Sequence, residues 1–252
     1  MTPTLRFAAT AALLVGGCAA TEGQIVPLDV VLEPTPDRQF TTNIGWEVEL
    51  DEAYAAIGPI HLYSPAEEPS AMAVLEQLVG PSVARAHGGT DPLNGRRVRA
   101  EWLTQVAFDV IGTRTRSLGT VDAETGAVES ASVTLDPPVA QNSETLRGHQ
   151  LWVRGRAMKD GVTIPFEGGL DIEGEGLARR VENLTIDGLL EPGMTWRVTV
   201  HAFTWFEDAH FDRLTEQTAE GTYVITPQDQ VAGAWFLNVR APSGYHTTLG
   251  RN

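Results

Sequence analysis

Apolar and polar residues alternate with a period of two in several separate parts of the chain. The clearest segments are 26–33, 46–51, 105–110 and 130–135. In the first of them the apolar positions are Val26, Leu28, Val30 and Leu32. Successive side chains of a strand point to opposite faces of a sheet, so each segment predicts a strand with one buried face.

A tight hairpin is predicted around Lys159-Asp160-Gly161. These three residues separate two strand-like runs, 151–158 and 162–170. An Asp-Gly pair favours a two-residue turn because glycine adopts positive φ at little cost. Further strands are predicted at 179–186, 195–206, 221–226 and 234–240.

Helical periodicity is scarce in this sequence. Residues 71–79 predict two helical turns with apolar residues on one face, and 208–214 predict one more turn. Roughly nine or ten short strands separated by turn residues are typical of a sandwich or barrel. We therefore expect an all-β fold, an antiparallel sandwich or barrel-like domain with one or two short helices, spanning 25–252 as a single unit.

The N-terminal segment has the composition of an export signal. Arg6 precedes an apolar run over 7–15, and Gly16-Gly17-Cys18 follows it. A short cationic region, a short apolar core and small residues before a cleavage point define a secretory signal, and this run is too short to span a bilayer. We assign 1–17 to the signal and 18–24 to a tether.

Cys18 is the only cysteine of the chain. Val15-Gly16-Gly17-Cys18 resembles the lipobox of bacterial lipoproteins, with valine where leucine is commoner. The resemblance implies lipidation of Cys18 and attachment to a membrane, and Ala19 after the cysteine implies the outer membrane. The alternative is a plain secreted protein with an incidental cysteine.

The charge balance limits the classes of partner. Eighteen Lys and Arg residues face 33 Asp and Glu residues, which gives a formal net charge of −15. Nucleic-acid binding depends on clustered cations that neutralise phosphates, so this composition argues against it. It also argues against a general electrostatic attraction to anionic lipid.

Histidines and carboxylates predict a metal site in one region. His201 shares the less apolar face of its predicted strand with Thr199 and Phe203, and His210 follows beyond the strand end. If the chain turns back near Asp208, the two imidazoles approach each other. Imidazole and carboxylate ligands suit copper or zinc.

The predicted metal ligands are therefore His201, His210 and Asp208, with His87 from a separate loop as a third histidine ligand. No recognised close spacing, such as His-Glu-x-x-His, supports them. The alternative is that these histidines are surface or structural residues.

The six tryptophans also allow two interpretations. They either line an aromatic cleft for a sugar or peptide, or they fill the core of a β fold, which is commoner. They are Trp46, Trp102, Trp152, Trp196, Trp205 and Trp235.

Catalytic signatures are absent from the sequence. It contains neither a Gly-x-Ser-x-Gly elbow nor a phosphate-binding glycine loop after a strand. Paired carboxylates suit a carbohydrate-active enzyme, but no pair stands out among so many acidic residues. We predict a non-catalytic binding or structural role in the cell envelope, with an envelope protein as a partner.

Two stretches carry a family resemblance. The first is 40–63, which includes Gly45-Trp46-Glu47-Val48 and Gly58-Pro59-Ile60-His61-Leu62, and the second is 196–214. They resemble β-rich lipoproteins of myxobacterial type and, more distantly, periplasmic proteins of the methanobactin-partner kind. The latter resemblance implies copper binding beside tryptophan. A second histidine expected shortly after His87 is replaced here by Gly88-Gly89-Thr90.

Overall fold

The computed structural model describes residues 23–66 and 96–251. Cys18, His87 and the predicted helix at 71–79 lie outside these residues. The described part contains fourteen strands and two helices, α1 (Ala140–Ser143) and α2 (Gln230–Val239). The strands are β1 (Ile25–Pro34), β2 (Gln39–Thr41), β3 (Glu47–Ile57), β4 (Ile60–Tyr63), β5 (Val98–Trp102), β6 (Val106–Asp109), β7 (Arg116–Glu124), β8 (Gly126–Thr134), β9 (Leu151–Lys159), β10 (Val162–Leu170), β11 (Arg180–Leu190), β12 (Met194–Val200), β13 (Tyr223–Ile225) and β14 (Tyr245–Arg251).

The strands form two sheets. The larger has the order β11-β8-β4-β5-β7-β1-β12-β14, and its end strands β11 and β14 approach each other, so the sheet is nearly a closed barrel. The smaller has the order β13-β10-β9-β3-β2, with β6 also paired to β3. The predicted all-β, barrel-like class is confirmed.

Two strand pairs depart from the predicted antiparallel arrangement. β1 pairs with β12 in parallel, and β10 pairs with β13 in parallel. Parallel neighbours need long connections, and here the chain between β1 and β12 includes most of the other strands. The alternating pattern within a strand does not indicate whether its neighbour in the sheet runs parallel or antiparallel to it.

Alternation places one face of β1 in the core as predicted. Val26, Leu28, Val30 and Leu32 are buried, whereas Ile25, Pro27 and Asp29 are exposed. β8 differs from its prediction as a half-buried strand, because Ser130, Ser132 and Thr134 are buried along with its apolar residues. The hydroxyl of Ser132 meets that of Tyr63 at 3.1 Å, so a polar partner lies on that face.

The predicted hairpin connects β9 and β10. Lys159 and Val162 are paired across it, and Asp160 and Gly161 have φ values of 51° and 79°. Two consecutive positive φ values define the turn type that matches the twist of paired strands. The hairpin prediction is confirmed.

The strand predicted at 234–240 is wrong, because these residues belong to α2. Val231, Ala232, Ala234, Trp235 and Val239 are its buried positions. Their spacing of three or four residues is that of one helix face. The prediction considered only the apolar end of this run, and a short apolar run does not distinguish helix from strand.

The strand predicted at 195–206 is too long. β12 ends at Val200, and Ala202–Thr204 form a short 3₁₀ helix. Two apolar residues beyond the strand are nevertheless buried, because Trp205 and Phe206 turn into the core and pack on Trp235 at ring-centroid distances of 6.0 and 5.5 Å. A second 3₁₀ helix, Phe211–Arg213, is the helical turn predicted within 208–214.

The tryptophans fill the core. None of the six is more than 9% exposed, and Trp196, Trp205 and Trp235 are fully buried. The core interpretation predicts this result, whereas an open aromatic cleft requires exposed rings.

Candidate functional site

The two stretches that carry the family resemblance meet at Asn43. The backbone N–H of Asn43 donates to Oε2 of Glu207 at 2.8 Å, and its side-chain amide donates to Oδ1 of Asp208 at 2.7 Å. The backbone N–H of Asp208 returns a hydrogen bond to Oδ1 of Asn43 at 2.9 Å. We call Asn43, Glu207 and Asp208 the Asn43 junction.

The chain reverses direction at the Asn43 junction. Asp208 has a φ of 60°, in the left-handed region that aspartate tolerates better than most residues. Helix α2 secures the turn, because Gln230 donates to the carbonyl of Asp208 at 2.8 Å and Asn238 donates to that of Glu207 at 2.9 Å. The reversal on which the predicted metal site depends is therefore present.

Trp46 packs directly beneath this turn. Its ring meets Phe211 edge-on at a centroid distance of 5.6 Å. Lys159 lies 5.7 Å from the Trp46 ring centroid and donates to the carbonyl of Ile44 at 2.7 Å. The single lysine of the chain thus holds the 42–46 loop in place.

His201 lies at the end of β12, half-buried beside Thr35. The hydroxyl of Thr35 donates to the carbonyl of Val200 at 2.7 Å, and Nδ1 of His201 lies 3.0 Å from the same hydroxyl oxygen. A hydroxyl has only one hydrogen, so towards His201 the oxygen of Thr35 must accept. Nδ1 therefore carries a hydrogen, and in the neutral ring the lone pair is on Nε2.

A second histidine lies next to His201. The backbone N–H of His201 donates to the carbonyl of Gly244 at 2.9 Å, and β12 and β14 pair Thr199 with His246. His201 and His246 are thus diagonal neighbours on one face, and Gly244 opposite His201 has no side chain to separate them. Thr199 shares this face, while Val198, Val200 and Ala202 are buried, as predicted. Phe203 was predicted on the same strand face but lies in the 3₁₀ helix, with its ring centroid 5.1 Å from that of His201.

The environment of His201 favours its neutral form. Burial lowers the pKa of the imidazole below its usual range, and the nearby His246 lowers it further. Desolvation and a neighbouring like charge both disfavour protonation. At neutral pH, His201 is therefore neutral, the state that a metal ion requires.

His210 has a different set of neighbours. Its backbone N–H donates to Oε1 of Gln230 at 2.7 Å, and its Nδ1 lies 3.8 Å from Oδ1 of Asp212. Asp208 is engaged in the Asn43 junction. In the described part of the chain, no group of three or more His, Cys, Asp or Glu residues is arranged to hold a metal ion.

The structure reveals two residues that the sequence prediction did not select. His246 was one of six histidines without a distinguishing pattern, and Thr35 is 166 positions from His201. Only the parallel pairing of β1 with β12 brings Thr35 to this place. The alternation of apolar and polar residues predicted the face on which His201 lies, but it did not predict that the hydroxyl of Thr35 lies beside it.

The molecule is thus a β-rich, barrel-like protein with a rigid loop region and a histidine pair at one strand end. None of its described helices is long and apolar enough to cross a membrane. No model of a known protein family matches the sequence, and no curated protein matches it either.

One solved structure is similar to this chain: MbnP from Methylosinus trichosporium. The sequence identity is 11% and the TM-score is 0.37, with 85% of this chain and 88% of that chain covered. The likeness is distant, and it assigns no ligand to this chain. We therefore infer the function from the side chains described above rather than from this likeness.

Proposed function

We propose that the protein is a non-catalytic binding protein of the bacterial cell envelope and that its ligand is a copper or zinc ion. The observation that carries the proposal is the fixed ring of His201. Thr35 accepts the Nδ1 hydrogen, so Nε2 presents its lone pair on a half-buried face. Metal-binding histidines usually donate their other ring N–H to such an acceptor, which sets both tautomer and orientation.

His201 and His246 supply two imidazole ligands in this proposal. Two histidines alone make a weak site, and water or a further side chain completes the coordination shell. His87 stays a predicted third histidine ligand from the sequence. His210, with Asp208 as an oxygen ligand, also stays a prediction.

Titration calorimetry with copper and with zinc tests the proposal. We expect His201→Ala and His246→Ala each to weaken binding of the preferred metal by about tenfold or more, since each removes one ligand. His149→Ala is the matched control, because it removes an exposed histidine on another part of the surface. Equal affinity in wild type and the His201→Ala, His246→Ala double variant contradicts the proposal.

The pH dependence of binding has a defined sign. Metal competes with protons for each imidazole, so affinity falls as pH decreases through the histidine range. The pKa of His201 lies below its usual value. We therefore expect the contribution of His201 to persist to lower pH than that of an imidazole with the usual pKa, which metal titrations of wild type and His201→Ala at several pH values measure.

We also propose that lipid on Cys18 attaches the protein to the outer membrane. The proposal rests on the lone cysteine and the signal-like residues before it. Cys18→Ser should abolish labelling by a fatty-acid analogue and release the protein into the soluble periplasmic fraction. Membrane retention of this variant, with no labelling of the wild type, contradicts the anchor.

A further inference from the structure

Most arginines of this acidic protein are neutralised by a carboxylate. Within the ranges 23–66 and 96–251, nine of them lie within ion-pair distance of Asp or Glu: Arg97, Arg99, Arg147, Arg154, Arg156, Arg179, Arg180, Arg197 and Arg251. With 33 acidic residues against 18 basic ones, a carboxylate partner is easily found. The arginines without such a partner are therefore candidates for binding an external anion.

Three such exceptions line one cleft. Arg38, Arg114 and Arg116 form no ion pair or side-chain hydrogen bond with any residue in the ranges 23–66 and 96–251. All three are exposed. They come from the segment before β2, the β6–β7 loop and the first residue of β7, so the fold brings Arg38 to two arginines that are distant from it in sequence.

The cleft is concave and large enough for a small molecule. Its volume is about 410 Å³, within the range of small-ligand sites. Phe108 is its apolar lining residue, and Asp109 is its acidic lining residue, lying against Gly112. Three guanidinium groups and one carboxylate give the lining a net charge of about +2, on a chain whose total is −15.

We infer that this arginine cleft binds a phosphate-type oxyanion carried by a small molecule or a lipid headgroup. Guanidinium groups present two parallel N–H donors that match the oxygens of phosphate. In the described part of the chain, the three arginines of the cleft have no carboxylate partner of their own, so an external anion can take that place. The rest of this acidic protein repels anions, whereas the concave cleft concentrates the positive potential of its arginines.

The inference is independent of the proposed metal site. None of the cleft residues belongs to the His201 and His246 pair or to the Asn43 junction. Failure of one proposal therefore leaves the other intact. The double variant His201→Ala, His246→Ala should bind an oxyanion as wild type does.

Calorimetry of the purified protein with pyrophosphate at low ionic strength tests the cleft. The variant Arg38→Gln, Arg114→Gln, Arg116→Gln should bind at least about tenfold more weakly than wild type, because charge-assisted hydrogen bonds are lost. Arg213→Gln, Arg240→Gln, Arg251→Gln makes the same change in net charge outside the cleft and is the matched control. Circular dichroism verifies that both variants fold.

Vesicles distinguish the two sources of the oxyanion. Co-sedimentation with phosphatidylglycerol vesicles, lost in the cleft variant but retained in the control, identifies a lipid headgroup as the source. Pyrophosphate binding without vesicle binding identifies a soluble ligand. Equal pyrophosphate affinity in wild type and cleft variant, or no binding of either probe by wild type, overturns the inference.

Discussion

Two histidines of this protein each direct Nδ1 at an oxygen atom but have very different neighbours. His201 donates its Nδ1 hydrogen to the hydroxyl of Thr35, and His149 approaches the carboxylate of Asp171 at 2.8 Å with the same nitrogen. A carboxylate accepts as the hydroxyl does, so both rings are oriented by a second residue. Yet His149 stacks on Trp152, whereas His201 lies beside another imidazole.

The proposed metal site therefore depends on more than an oriented ring. Each histidine offers its outer nitrogen, but only His201 has a second imidazole as a diagonal neighbour on its sheet face. His149 instead has an acidic partner and a tryptophan face. The two positions differ in whether a second imidazole lies nearby, and not in how the ring of the histidine itself is oriented.

The largest effect is expected from Thr35→Val, which removes the acceptor for the Nδ1 hydrogen of His201. We expect metal affinity to fall about 10- to 100-fold, the usual cost of losing such an outer partner. Thr35→Ser keeps the hydroxyl and should retain most of the affinity. Nitrogen chemical shifts of the His201 ring report the tautomer directly, and an unchanged tautomer in Thr35→Val contradicts this account.

The acid sensitivity of folding should depend on His201. The pKa of His201 is lowered in the folded state, so below about 6.5 the unfolded chain binds a proton more readily. Stability is then lost as pH falls from that value through the lowered pKa. Urea unfolding at neutral and mildly acidic pH should show a smaller acid loss for His201→Gln than for wild type.

His149→Gln serves as the comparison in that experiment. It removes an imidazole that lies outside the His201 and His246 pair. An equal reduction in the acid loss of both variants would remove the distinction between the two positions.

The smallest effect is expected from Asp171→Asn. This change removes the charge beside His149 but leaves an oxygen that can accept from the backbone N–H of Gln150, as Asp171 does at 3.1 Å. Exposed ion pairs contribute about 0 to 1 kcal/mol, so the free energy of unfolding should change by about 0.5 kcal/mol or less. A loss well above about 1 kcal/mol in urea denaturation would show that the His149 pair is structurally important.

The sequence predicted local features of the fold better than its long-range ones. Alternation located the buried face of β1, and an Asp-Gly pair located the hairpin at Asp160, because both signals depend on neighbouring residues. The parallel pairing of β1 with β12 depends on the whole chain and was missed. Helix α2 was taken for a strand since its apolar residues were read over too short a window.

The same difference between local and long-range features applies to the candidate site. The face of β12 on which His201 lies was predicted, and a turn near Asp208 was the condition on which the metal hypothesis depended. The partners of these residues, Thr35 and Asn43, lie more than 160 positions away and carry no sequence signal. Pairing of distant strands, rather than any motif, therefore determines which side chains meet.

The position of β1 has a consequence for the order in which this protein folds. β1 lies between β7 and β12, so the earliest strand acquires its neighbours only when residues 116–124 and 194–200 are available. Contacts between segments so far apart must overcome a large loop-closure entropy, which slows folding. During synthesis, one edge of the first strand therefore stays unpaired until residues 194–200 have emerged.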